Sequence, residues 1–324
     1  SDDNPVRRTI SSAGGSPTGV DISPPFADGR RLALIRSTNH LAVVDLSNPS
    51  GVARSIPLVP PGSGANVHPD QVLFSSAGNV LEVFVRVSGL GDVMHLKFDG
   101  STQADGAPKP ILNQFATGST TTDMALYTGQ DGALRLLTVD AGGPSVTIVD
   151  VVAAQSTTIP LSGPATRVLL YDGLSGREAL LYPVGGASPT FHRLELEQLA
   201  IKKSKAVSSH TLVGSIGDIV PVANGQWFLV THQSGGTTVT LVEGAGNNVL
   251  PFTGAGSVGG ATVSPDGQAA FLLTFAGGAS HLSRIDVATG HPESRELEGS
   301  GHASLHLVGQ NILIAHNNAR GAVT

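Results

Sequence analysis

The amino-acid sequence predicts an all-β chain folded as a seven-bladed β-propeller of four-stranded antiparallel blades. Three observations predict it. Glycine turns recur as ADGR, SAGN, QDGA, LSGR, ANGQ, PDGQ and VGQN, placing Gly29, Gly78, Gly132, Gly176, Gly225, Gly267 and Gly309 at intervals of 49, 54, 44, 49, 42 and 42 residues. Each turn is followed by a near-continuous apolar run, as expected of a strand covered on both faces. The 41 glycines and 20 prolines, against 14% charged residues, suit short strands and tight turns rather than long helices. A strand-only repeat of roughly 40–50 residues is the signature of a propeller blade.

Each repeat reads in four parts. An inner strand A precedes the glycine: GVDIS (19–23), DQVLF (70–74), TDMALY (122–127), TRVLLY (166–171), GDIVPV (217–222), GATVS (260–264) and ASLHLV (303–308). Strand B follows it: RLALIRS (31–37), VLEVFVRV (80–87), LRLLTVD (134–140), EALLYPV (178–184), QWFLVTH (226–232), AAFLLTF (269–275) and NILIAHN (311–317). Strand C closes on an acid in five repeats, at Asp45, Asp99, Asp150, Glu243 and Asp286. Strand D then completes the blade as RSIPL, KPILN, TTIPL, HTLVG (210–214), VLPF or RELEG. The fourth repeat departs from this pattern, with a short helical or extended excursion expected over LELEQLAIKKSK (194–205).

Six strand D segments follow the seven turns. VRRTIS (6–11) has the same character, so residues 5–11 are expected to complete the blade containing 303–324 and close the ring within one domain, 1–324. Closure would satisfy backbone groups that an open edge leaves unpaired. The stop inside the last strand C reads as a chain that continues or was trimmed.

Composition bounds the partners. A net charge of −6 argues against nucleic acid, which needs a clustered basic face, and the lysine cluster Lys202, Lys203 and Lys205 reads as a solvated loop. Without cysteine, neither disulfides, thiolate catalysis nor Cys-ligated zinc is available. No apolar run approaches the roughly 18 residues of a membrane helix. The start, SDDNPVRR, lacks the apolar core of a signal peptide and resembles the polar tether behind a removed leader or a lipid-bearing residue. Together with small polar tracts such as SGGTTVT, it points to an extracytoplasmic protein: periplasmic, tethered to an outer membrane, or secreted.

The order S-P-D-G (264–267), AFLLTF and HLSRIDVATG resembles the blades of the YVTN and TolB-like propellers, relatives of WD40. That resemblance implies the propeller architecture over nearly the whole chain and names a superfamily, not an activity. The paired Gly-His and Trp-Asp signatures of WD40 are absent, and Trp227 is the single tryptophan. Ser264, Asp266 and Gly267 resemble a sialidase Asp-box, but no Thr-Trp follows.

In a propeller the beginnings of the A strands gather at one mouth of the central channel. Asp21, His68, Asp70, Asp123, Arg167, Asp218 and His302 stand there or one position before, with Gly260, Ala261 and Ser304. Carboxylates so gathered can hold a hard cation, and a histidine among them can act as a base. The simpler account is that these side chains cap the A strands and tie blades together. His302 and His306 share a strand face but span about 13 Å, too far to chelate one ion. His232 and His316 end B strands and are expected on a loop face. His192 and His281 begin C strands and are expected as polar termini. GASPT (186–190) and GASH (278–281) lack the strand-to-helix context of a nucleophile elbow, and no phosphate loop, zinc helix or dinucleotide fingerprint is present.

The leading reading is a non-catalytic propeller that acts as a protein- or ligand-binding scaffold outside the cytoplasm, needing no cofactor and binding a protein partner. The alternative is a metal-dependent hydrolase of the lactonase kind, with a divalent cation such as calcium at the channel mouth. A glycan-binding propeller ranks third, because no aromatic platform recurs from blade to blade.

Overall fold

The computed structural model describes residues 16–48, 53–59, 66–102, 108–118, 120–141, 143–173, 176–185, 188–200, 206–222, 225–232, 239–244, 249–253, 256–297, 302–308 and 311–316. The chain divides into two compact units, Ser1–Pro160 and Leu161–Thr324.

The first unit holds three antiparallel four-stranded sheets, each a meander in chain order. Sheet 1 is β1 (Pro17–Ile22), β2 (Leu32–Ser37), β3 (His40–Asp45) and β4 (Arg54–Pro57). Sheet 2 is β5 (His68–Ala77), β6 (Val80–Ser88), β7 (Asp92–Thr102) and β8 (Pro108–Ala116). Sheet 3 is β9 (Thr121–Thr128), β10 (Leu134–Asp140), β11 (Ser145–Asp150) and β12 (Gln155–Pro160). The second unit repeats the plan. Sheet 4 is β13 (Arg167–Gly173), β14 (Gly176–Tyr182), β15 (Thr190–Glu195) and β16 (Val207–Thr211). Sheet 5 is β17 (Ile216–Val222), β18 (Trp227–His232), β19 (Val239–Glu243) and β20 (Val249–Phe252). Sheet 6 is β21 (Ser257–Val263), β22 (Ala269–Ala276), β23 (Ala279–Asp286) and β24 (Pro292–Leu297). Sheet 7 shows β25 (His302–Val308) and β26 (Asn311–His316).

The turns explain the meander. Gly29, Gly78, Gly132, Gly176, Gly225 and Gly267 all have positive φ, the left-handed conformation that side chains disfavour. Where Asp precedes the glycine, its carboxylate accepts the amide two residues on, at Arg30 (3.0 Å), Ala133 (3.1 Å) and Gln268 (3.1 Å). Acids at or near the ends of the C strands accept amides in the same way. Asp45, Asp99, Asp150 and Asp286 accept amides from Ser47, Ser101, Val152 and Thr289.

The B strands carry long apolar runs because successive side chains enter different cores. In β6, Val83 and Val85 pack with Leu34 and Val43 of sheet 1, while Phe84 packs with Met124 and Leu136 of sheet 3. In β18, Phe228 and Val230 face Phe191 of sheet 4, and Leu229 faces Leu272 of sheet 6. Leu273 of β22 meets Leu305 of sheet 7. Sheet-on-sheet burial of this kind contributes roughly 1.5–3 kcal/mol for each large side chain removed from water.

One placement departs from the sequence reading. The outer strand of sheet 4 runs over Val207–Thr211 rather than 210–214. It is drawn there by the Thr190–Thr211 hydroxyl contact (3.0 Å) and by Phe191 stacked on His210 at 4.8 Å. The expected excursion over 194–205 contains one short 3-10 turn, Gln198–Ala200, and its residues 201–205 lie outside the described residues, as does the lysine cluster. The expected closing strand, residues 5–11, also lies outside them.

Candidate functional site

The A strands other than β13, which pairs in continuous register, share a local irregularity near their beginnings. Pairing with the B strand slips by one residue between Pro17 and Gly19, Pro69 and Gln71, Thr121 and Asp123, Ile216 and Asp218, Val258 and Gly260, and His302 and Ser304. A bulge at this position twists the strand and re-aims the side chains beside it. Asp123 and Asp218 follow the bulge directly and behave alike, each accepting the amide of its own successor at 2.9 Å.

In the first unit, two arginines organise the sequence-identified acids. Arg36 of β2 forms an ion pair with Asp21 (2.8 Å) and donates to the backbone carbonyl of Asp70 in the next sheet (2.8 Å). Its guanidinium lies over Gly19, where a Cβ would sit 2.6 Å from the side chain, so glycine makes room for it. Arg86 of β6 repeats the arrangement one sheet on: it pairs with the Asp70 carboxylate (3.5 Å) and reaches the Thr121 carbonyl (3.4 Å). Gln71 adds a two-way bond to the Met124 backbone, at 2.9 and 3.1 Å. His68 contacts the Thr38 hydroxyl at 3.4 Å. Asp123 is buried at 6% exposure.

In the second unit, the Tyr182 hydroxyl donates to Asp218 at 2.9 Å, tying sheet 4 to sheet 5. Arg167 begins β13 opposite Tyr182 and is exposed. His302 pairs in register with His316, and its side chain lies outside the described set. Among the described residues, no three carboxylate, histidine or cysteine side chains come together in a way that could hold a metal ion.

Sequence reasoning missed Arg36 and Arg86. Their signal was present: each is an arginine near the end of a largely apolar B strand, seven or eight positions after the turn glycine. Two histidine expectations are corrected. His232 is not on a loop face but buried at 8% exposure, bonded to the Thr240 hydroxyl at 2.8 Å. His192 is not a polar terminus but fully buried; its Nε2 donates to the Gly163 carbonyl (3.1 Å) and its Nδ1 accepts from Ser209 (2.9 Å). Burial pushes both imidazoles below the usual histidine pKa.

A cleft of about 940 Å³ opens in the second unit at the other end of the A strands. The β21–β22 turn (264–268) and the end of β23 form one wall, and Val220, Pro221, Gln226 and Trp227 of sheet 5 the other. Asp266 and Asp286 line it, each bonding through Oδ1 to its own turn. Their carboxyls are held below the usual range, Asp266 chiefly by the Ser264 hydroxyl and Asp286 chiefly by the Thr289 amide.

No protein-family model matches the sequence, and no curated protein matches it. Solved structures do match in fold. A dihydro-heme d1 dehydrogenase, NirN, in complex with DHE aligns with a TM-score of 0.58 at 13% identity over 87% of this chain, which spans 58% of that structure. The Dos1 propeller aligns with a TM-score of 0.57 at 10% identity, covering 94% of this chain and 76% of that one. Sqt1 from Chaetomium thermophilum aligns with a TM-score of 0.59 at 12% identity, covering 94% and 81%. At such identities the likeness concerns architecture alone: this chain has a β-propeller fold built from repeated four-stranded antiparallel sheets. Among the described residues, no helix is long and apolar enough to cross a membrane.

Proposed function

We propose that this chain is a non-catalytic, seven-bladed propeller that serves as a protein-binding scaffold in an extracytoplasmic setting. One observation carries the reading. Three of the acids that could have formed a reactive mouth already have partners: Asp21 and Asp70 are paired within their own sheets with Arg36 and Arg86, which also reach carbonyls of the next sheet, and Asp218 is bonded to Tyr182 of the neighbouring sheet. A carboxylate already matched by a guanidinium offers little to a hard cation, which draws its affinity from uncompensated oxygen charge. The fold itself is neutral on this point, since propellers host catalysts and passive platforms alike.

Thermal melting in calcium and in EDTA, paired with elemental analysis, separates this reading from a metal-dependent hydrolase. Equal melting points and no stoichiometric metal are expected. A bound divalent cation that raises the melting point by linkage would overturn the scaffold reading. Cell fractionation tests the compartment, with the chain expected in an envelope or secreted fraction and its recovery with cytoplasmic markers counting against the setting.

A further inference from the structure

The cleft between sheets 5 and 6 combines features that the rest of the described surface does not offer together. It holds the one tryptophan of the chain, half-buried at the start of β18, with Glu243 opposite it in the strand register. Across from it stand Asp266 and Asp286, both on tight turns that fix where the carboxylates point. Each uses Oδ1 for those turn bonds, so Oδ2 remains available to a ligand. Among the described residues, no lysine or arginine lines the cleft, although Arg284 stands near enough to help keep both acids ionised. Gln226 and Gln268 add amides able to donate and accept.

An indole lining the same cleft as two fixed carboxylates suits a cation whose stem is apolar. The ring quadrupole attracts the charge, the acids answer it, and the indole covers the methylenes. A neutral ligand would offer neither carboxylate a counter-charge. The chain's own charge of −6 favours approach of a basic partner.

We propose that this cleft docks a basic segment of a partner protein, with an arginine or lysine side chain laid along Trp227 and its charge met by Asp266 and Asp286. The proposal rests on the scaffold reading and locates where the partner binds. Trp227, being alone, reports on its own site. Titrating the full chain with an amidated tetra-arginine peptide should change the intrinsic fluorescence saturably, and raising salt should weaken the response. The D266N/D286N variant keeps the oxygens that hold both turns while removing the charges, and should bind at least tenfold more weakly. If that variant melts early, D286N alone is to show the weakening.

An unresponsive tryptophan, or equal binding by the variants, would overturn the proposal. So would a response to a neutral N-acetylglucosamine trisaccharide in place of the peptide, which would mark a glycan site. A partner that crosslinks equally to the native and D266N/D286N chains would remove the cleft as its docking site and leave the scaffold reading intact.

Discussion

Glu178 and Arg193 show how the protein handles a charge in its interior. Glu178 is 1% exposed on β14, and Arg193 of β15 grips it with two bonds of 2.5 and 2.7 Å while the Tyr171 hydroxyl donates to the same carboxylate. The tyrosine is held far above its usual pKa, by burial first and by its bond to Glu178 second. Arg193→Met would leave a carboxylate in the core without its counter-charge. A loss of about 3–5 kcal/mol is expected in urea unfolding. Adding Glu178→Gln should restore part of that loss, because an amide still accepts from Tyr171 but carries no charge; no recovery would refute the electrostatic account. His192, His210 and His232 give a second prediction. Burial is the leading cause that lowers all three below 6.5. The unfolded chain then binds more protons than the folded one as pH falls past 6.5, so stability drops in that window. Melting points should therefore decrease from pH 7.5 to 5.5, and His192→Gln should flatten the slope. A melting point that rises on acidification would contradict neutral buried imidazoles.

At the level of single elements, the A–B turn is where sequence and structure agree best. Six of the seven predicted glycines have positive φ, and Gly309 lies outside the described residues. The backbone demand was visible because it restricts residue type locally. Two of these glycines separate that demand from packing. A Cβ at Gly29 meets nothing within 4 Å, so Gly29→Ala should cost only the left-handed strain, about 1–2 kcal/mol. At Gly225 a Cβ would also sit 2.5 Å from the Tyr171 ring, which is buried and bonded to Glu178. Gly225→Ala should cost roughly 1–3 kcal/mol more, the usual range for overpacking. Equal melting points for the two variants would show that Tyr171 gives way freely. The candidate site was less legible. Asp21, Asp70, Asp123 and Asp218 could be found as acids near the starts of A strands, but what each touches depends on pairing across sheets. The bulge that makes Asp123 and Asp218 equivalent, and displaces Asp21 and Asp70 from that position, changes register by one residue and leaves no trace in composition. His192 and His232 were misplaced for the same reason: a strand end in sequence can still lie beneath the next sheet.

Across the whole molecule, the proposed closure bears on sheet 7. Sheet 7 shows two strands among the described residues, with Leu305 buried against Leu273 of sheet 6 and Ile312 packed beside them. A two-stranded hairpin is marginal by itself in water, and one packed on a neighbour still presents an unpaired outer edge. VRRTIS has the short, alternating character of the D strands, with Val6 and Ile10 as apolar side chains needing cover. If residues 5–11 add to this sheet, as the proposed seven-bladed closure requires, the first residues of the chain and the hairpin 302–316 stabilise one another. Deleting residues 1–11 should then cost several kcal/mol, since a ladder of backbone bonds and its apolar burial vanish together. The loss should be local first, with hydrogen exchange accelerating in β25 and β26 before it does in sheets 2 and 5. A synthetic peptide of residues 1–11 added back in excess should restore part of the melting point. If the deletion leaves both melting and exchange in β25 and β26 unchanged, the N-terminal segment does not close the blade.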